Sequence, residues 1–184
     1  HIGLKGVPTE TLRKIQGYYW DTWDPDEVGT GGHRFKLFVP TLFEPQMAPP
    51  GGHILIVQKA MDLNYQGISD WAVHKAGTER FIMDHLEDIL PGIQDHIVVK
   101  MSATAKTAFA YTGNHQGAML GWEMSPDQLG HNRPDIEGPI PNLYFTGHWT
   151  KPGGGITPAI VSAMQVAQRI AKSTAIAPVP AFAI

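Results

Sequence analysis

Gly153, Gly154 and Gly155 run directly into a segment with helical spacing, and that combination has a chemical use. The first turn of a helix leaves backbone N–H groups unpaired and carries a partial positive charge, while glycines let another group approach the backbone closely. A phosphate, or the electron-rich carbonyl edge of a ring, is stabilised at such an end. The same spacing also serves an ordinary tight crossover from strand to helix, so the glycines alone leave both readings open. Gly153, Gly154 and Gly155, with the helix start that follows them, are therefore the candidates for close approach of a ligand.

Other chemistries find less support. The chain has no cysteine, which excludes disulfides, thiolate metal sites and cysteine nucleophiles. None of the nine histidines forms an H-x-x-x-H or H-E-x-x-H pair, and His115, His131 and His148 are far apart, so no metal site is expected. Ser125 and Ser162 lack the G-x-S-x-G elbow of a hydrolase. Asp84, Glu87 and Asp88 read as the solvated face of a helix. No residue stands out as a general acid or base, and the catalytic residue stays unassigned.

The glycine turn needs elements to hold it. Residues 143–147 read as a strand, 148–155 as the turn, and the following stretch as a helix, with Thr157 as its N-cap and Pro158 at the first helical position. Ile160, Met164, Ala167 and Ala171 lie along one face of that helix, with Val161 beside them. Upstream, a short helix capped by Thr9 is expected over 9–16, then the aromatic cluster Tyr18, Tyr19, Trp20 and Trp23. Residues 35–39 and 53–58 have strand character, the second so continuously apolar that burial on both faces is expected. Residues 69–90 read as a helix capped by Ser69 or Asp70 and stopped by Pro91-Gly92, with Phe81, Ile82, His85, Leu86, Ile89 and Leu90 on one broad face. A strand follows over 97–103. Residues 104–138 look like loop, which is long for a structureless connection and points to a functional or wrapping segment.

The fold class implied is α/β. A small sheet of residues 35–39, 54–58 and 97–103 is expected under the helix at 70–90, with 143–147 and the last helix in a second layer. By role the chain divides into 1–138, 139–174 and a tail at 175–184. The formal net charge of −3, with acids and bases interspersed, argues against a nucleic-acid partner. No apolar run approaches the ~20 residues that span a bilayer. A cytoplasmic location is expected, with peripheral membrane contact one use for the aromatic cluster and core or interface packing another.

Residues 142–156, Asn-Leu-Tyr-Phe-Thr-Gly-His-Trp-Thr-Lys-Pro-Gly-Gly-Gly-Ile, closely resemble the last flavin-binding motif of the phytoene desaturase and carotenoid isomerase family, and more loosely the amine oxidase superfamily. The resemblance extends upstream. Gln46-Met47-Ala48-Pro49-Pro50-Gly51-Gly52-His53 looks like the family's apolar-Pro-Pro-Gly turn, and residues 81–93 like its leucine-rich, Pro-Gly segment. Gly117-Ala118-Met119, Ser125-Pro126-Asp127-Gln128-Leu129 and Arg133-Pro134 are similar to the loop ahead of the last motif.

What the resemblance implies is FAD as cofactor, bound through Gly147, His148, Trp149, Gly153, Gly154, Gly155, Ile156 and Thr157. The backbone N–H groups around Gly155, Ile156 and Thr157 would face the pyrimidine edge of the ring. The implied substrate is an apolar alkene or polyene such as a carotenoid, desaturated or isomerised. Two departures matter. The dinucleotide fingerprint G-x-G-x-x-G is absent, and Gly29-Thr30-Gly31-Gly32 lacks its spacing and setting. His148 stands where family members often carry an acid. The chain is therefore expected to be a fragment of a two-lobed FAD-dependent oxidoreductase: the substrate-lobe sheet plus the last strand-turn-helix of the FAD lobe. Alone it would be inactive, with apolar surface exposed toward a missing N-terminal FAD-binding half or available for self-association. The alternative is a non-catalytic domain that binds an apolar ligand or a protein partner, its flavin motif vestigial.

Overall fold

The structure, a computed structural model, describes residues 1–15, 17–20, 35–59 and 64–173. By contacts the chain forms two compact units, His1–Lys106 and Thr107–Ile184, so residues 107–138 pack with the glycine turn, whatever division by role the sequence suggests.

The first unit is built on a five-stranded antiparallel sheet. Its strands are β1 (Ile2–Lys5), β2 (Tyr19–Trp20), β3 (Phe35–Phe38), β4 (Gly52–Lys59) and β5 (Ile97–Lys100), in the order β2-β3-β4-β1-β5. The three strands expected from the sequence are present, the last ending at Lys100 rather than 103. β1 and β2 are additions. β1 lies between β4 and β5, pairing Ile2 with Leu55 on one side and with Lys100 on the other. Its alternation buries Ile2 and Leu4. Gly3 admits its neighbour, because a Cβ there would fall 2.4 Å from Val99 Cγ1. β4 is less buried than its apolarity suggested. Leu55 alone is fully covered, since one face of this antiparallel sheet meets the core and the other is only partly screened.

Two helices accompany the sheet. α1 (Thr9–Leu12) is shorter than expected, and Thr9 is its first residue rather than its cap; Pro8 precedes it with no side-chain cap. Residue 16 lies outside the described residues. α2 (Trp71–Ile89) agrees with expectation. The Asp70 carboxylate accepts from the N–H groups of Ala72 (2.8 Å) and Val73 (3.1 Å), and Gly92, at φ 79°, turns the chain after Pro91. Leu86 and Leu90 of the expected face are buried, and Phe81 and Ile89 pack against the core. Met83 is buried as well. Around them lie Leu4, Leu12, Ile15, Phe35, Leu37 and Leu55. Of the aromatic cluster, Tyr19 packs against this core, and Tyr18 stacks on Phe38 at 4.9 Å while remaining exposed. Trp23, the Gly29–Gly32 stretch and the tail at 175–184 lie outside the described residues.

The second unit holds the glycine turn. Residues 104–138 are not plain loop: α3 (Ala105–Thr112) is followed by short 3-10 turns at His115–Gly117, Pro126–Gln128 and Gly130–Asn132. Residues 143–147 do not form a strand of a sheet. Tyr144 makes one antiparallel bridge to Glu137, flanked by Gly138 N–H to Leu143 O and Phe145 N–H to Ile136 O, both 2.8 Å. A ladder needs a neighbouring strand, and the described residues supply none beyond this hairpin. α4 (Ile156–Ser173) begins one residue before Thr157, so Thr157 and Pro158 sit inside its first turn, and Gly155 opens it by accepting from Ala159 N–H at 3.1 Å. The inward face agrees in part: Ala171 of the expected face is buried and Met164 half-buried, but its other members are exposed. Ile160 is 54% exposed, whereas Ser162 and Val166 are buried. The reason is that α4 is apolar on more than one side, and the unit covers only one of them. Among the described residues, no helix is long and apolar enough to cross a membrane, and no cluster of three His, Asp or Glu could hold a metal.

Candidate cofactor site

The short hairpin at 136–145 delivers the chain to Gly147, where φ reaches 110°, a conformation that favours glycine. There one serine fastens the turn to the helix it precedes. Gly147 N–H donates to Ser162 Oγ at 2.8 Å, and the Ser162 hydroxyl donates to Ala159 O at 2.7 Å. Thr150 closes the first bend, its hydroxyl donating to Gly147 O at 3.2 Å. Lys151 anchors the next, with its N–H on Pro134 O and its ammonium on Asp135, both at 2.9 Å.

The backbone itself requires glycine here. Gly153 and Gly155 hold φ of 134° and 114°. A Cβ on Gly154 would lie 2.3 Å from the Leu120 carbonyl oxygen. The glycines thus shape the turn before any ligand is considered. The ligand-binding capacity lies in what the turn exposes. No acceptor among the described residues meets the N–H groups of Gly155, Ile156 or Thr157, and Pro158 has no N–H to satisfy. Ile156 is 83% exposed, so this end of α4 is open. The helix dipole adds positive potential at the same place.

Beside it, Trp149 is pinned. Its indole N–H donates to Asn114 Oδ1 at 3.2 Å, and its ring meets Trp122 edge-on at 5.2 Å and His148 at 5.4 Å. The His148 carbonyl accepts from Arg133 Nη2 at 2.8 Å. All eight residues named from the sequence therefore come together on one continuous turn, in two roles. Gly147 N–H is bonded to Ser162, whereas those of Gly155, Ile156 and Thr157 meet no acceptor among the described residues. An electron-rich ring edge suits this end in chemistry, since the three N–H groups have no acceptor among the described residues and the helix-end potential has the right sign. A groove of about 520 Å³ elsewhere in the unit, lined by residues such as Asp135, Lys151, Gln168 and Arg169, includes none of the eight.

Arg133, Ser162, Thr150 and Asn114 support the turn without having been singled out for it. One signal was available for the first of them: Arg133 is the only Lys or Arg between Lys106 and Lys151. The others are small polar residues whose partners lie far along the chain.

Comparison with known proteins bears on the same segment. The chain is 29% identical over 155 residues to the chloroplastic prolycopene isomerase of Daucus carota, covering 82% of this chain and 25% of that protein. It is 29% identical over 149 residues to a lycopene-forming phytoene desaturase of Pseudescherichia vulneris, covering 77% of this chain and 30% of the relative. With pyridine nucleotide-disulfide oxidoreductase domain-containing protein 2 of Rattus norvegicus it shares 27% identity over 128 residues, 66% of this chain and 22% of that one. The chain thus spans between 22% and 30% of the length of these curated relatives. Residues 13–171 match the family model for flavin containing amine oxidoreductase, and the chain belongs to that family.

Proposed function

We propose that the chain is the C-terminal part of an FAD-dependent oxidoreductase, of desaturase or isomerase type, acting on an apolar alkene or polyene such as a carotenoid. The observation that carries this reading is the set of N–H groups at Gly155, Ile156 and Thr157 that meet no acceptor among the described residues, held by a glycine turn of the family's own pattern. The relatives named for prolycopene isomerisation and phytoene desaturation support the substrate class. When bound, the flavin supplies the difficult step by taking a hydride from the substrate or exchanging electrons with it. The chain's own residues hold and bias it. The three N–H groups lower the energy of negative charge on the ring edge they face, and the helix dipole contributes about 0.3–1 kcal/mol more. His148 and Trp149 flank the turn, with Trp149 fixed by Asn114 as a rigid apolar wall. The adenine and pyrophosphate half of the cofactor is held, on this reading, by polypeptide outside these 184 residues, because the chain lacks G-x-G-x-x-G.

A second reading is favoured by Gly154. Its fit against Leu120 accounts for a glycine without any ligand, as expected of a motif retained for shape in a non-catalytic binding domain. One experiment separates the two: purify the protein at its full natural length and mix it anaerobically with an acyclic polyene. Bound flavin whose absorbance bleaches as a desaturated product appears, or bound flavin that supports appearance of an isomerised product with no net change in its own redox state, supports the oxidoreductase. Polyene colour retained with no flavin present supports the binding domain and overturns the enzyme.

A further inference from the structure

Arg133 is 2% exposed, although the segment around it is mostly surface. Its guanidinium meets no carboxylate among the described residues. Nη1 donates to Gln128 O at 3.2 Å and lies 3.7 Å from the Met124 sulfur. Nη2 donates to His148 O at 2.8 Å, with Trp122 O and Leu120 O at 3.4 and 3.5 Å. Nε has no partner. Burying a cation without a counter-charge is costly, and tying loops together by their carbonyls does not by itself require one. The position of the charge suggests its use. Arg133 Cζ and Nε both lie 3.5 Å from where a Cβ on Gly153 would stand, in the turn that opens α4. The same side chain grips Leu120, whose carbonyl packs on Gly154.

We infer that Arg133 is a positioning residue for the turn, and that its buried charge biases the start of α4 toward an electron-rich, reduced ring. It gathers four carbonyls, from Leu120, Trp122, Gln128 and His148, around one rigid fork, and leaves a fixed positive charge beside Gly153. The inference rests on the flavin reading of the same turn. Arginine suits this task better than lysine, since its planar fork can serve several acceptors at once whereas an ammonium is a point charge on a flexible stem.

The test compares wild type, Arg133→Met and Arg133→Lys in the protein at its full natural length. Affinities for oxidised and chemically reduced FAD are measured separately, and hydrogen exchange is followed at residues 147–157. Arg133→Met is expected to lose affinity for reduced FAD roughly tenfold more than for oxidised FAD, a lowering of about 30 mV in a two-electron potential. Arg133→Lys is expected to keep a ratio near wild type while exchange across the turn quickens, because charge is retained and the fork is lost. Equal loss of both forms in Arg133→Met, or failure of both variants to fold, makes Arg133 purely structural and overturns the inference. Normal flavin uptake with an unshifted ratio overturns the inference alone. A wild-type protein that takes up FAD in neither state overturns the proposed function and the inference together.

Discussion

Ser162 is fully buried, and its single hydroxyl serves both sides of the glycine turn, accepting from Gly147 N–H and donating to Ala159 O. Ser162→Ala removes both bonds with little change of volume and leaves the Gly147 N–H without its acceptor. The expected loss is about 1–3 kcal/mol, read as a lower melting temperature of the chain; an unchanged melting curve would show that water replaces the hydroxyl. Nothing about the serine in sequence advertised this role, because its partner stands four helical turns' worth of chain upstream. Gly154 makes the same point. Its identity suggested ligand contact, yet the atom that forbids a side chain is the carbonyl of Leu120, brought close only by the fold.

Among elements, α2 and β5 are joined by one carboxylate. Glu79 accepts from the Ser102 hydroxyl and pairs with Lys100 Nζ at 3.1 Å. The Ser102 hydrogen bond first, and Lys100 after it, hold the Glu79 carboxyl below its ordinary value of 4.5, against the opposing effect of burial. Because the folded value is depressed, this contribution to stability is present above the unfolded value and is lost as pH falls through the folded one. The melting temperature is therefore expected to drop on acidification from about pH 5 to about pH 3, and less steeply in Glu79→Gln. Parallel curves for the two proteins would remove Glu79 as a contributor. α2 itself was legible in the sequence, since Asp70 and the Pro91-Gly92 stop are local signals. β1 was not: Ile-Gly-Leu-Lys has no β-branched run, and it becomes a strand only because β4 and β5 present edges on either side of it.

At the scale of the whole molecule, α4 shows solvent an apolar stripe. Ile156 is 83% and Ile160 54% exposed, and Ala163 and Ala167, at helical spacing from them, are exposed as well. Such a face associates with whatever apolar surface it meets. The isolated chain is expected to self-associate, and Ile160→Glu to shift its sedimentation toward monomer with little change in melting temperature. A monomeric wild type at the same concentration would count against an interface on this face. Several features follow from sequence alone: the α/β class, three strands, α2, the glycine turn and the family. Caps, breakers, β-branched runs and a contiguous motif are local, and each acts over a few residues. Tertiary structure decided how the turn works. It placed β1 between β4 and β5, buried Arg133 beside Gly153, seated Gly154 on Leu120, and divided the motif into a Gly147 N–H fastened by Ser162 and three N–H groups left open at α4. Those contacts join residues distant along the chain, so packing and register determine them and local spacing does not.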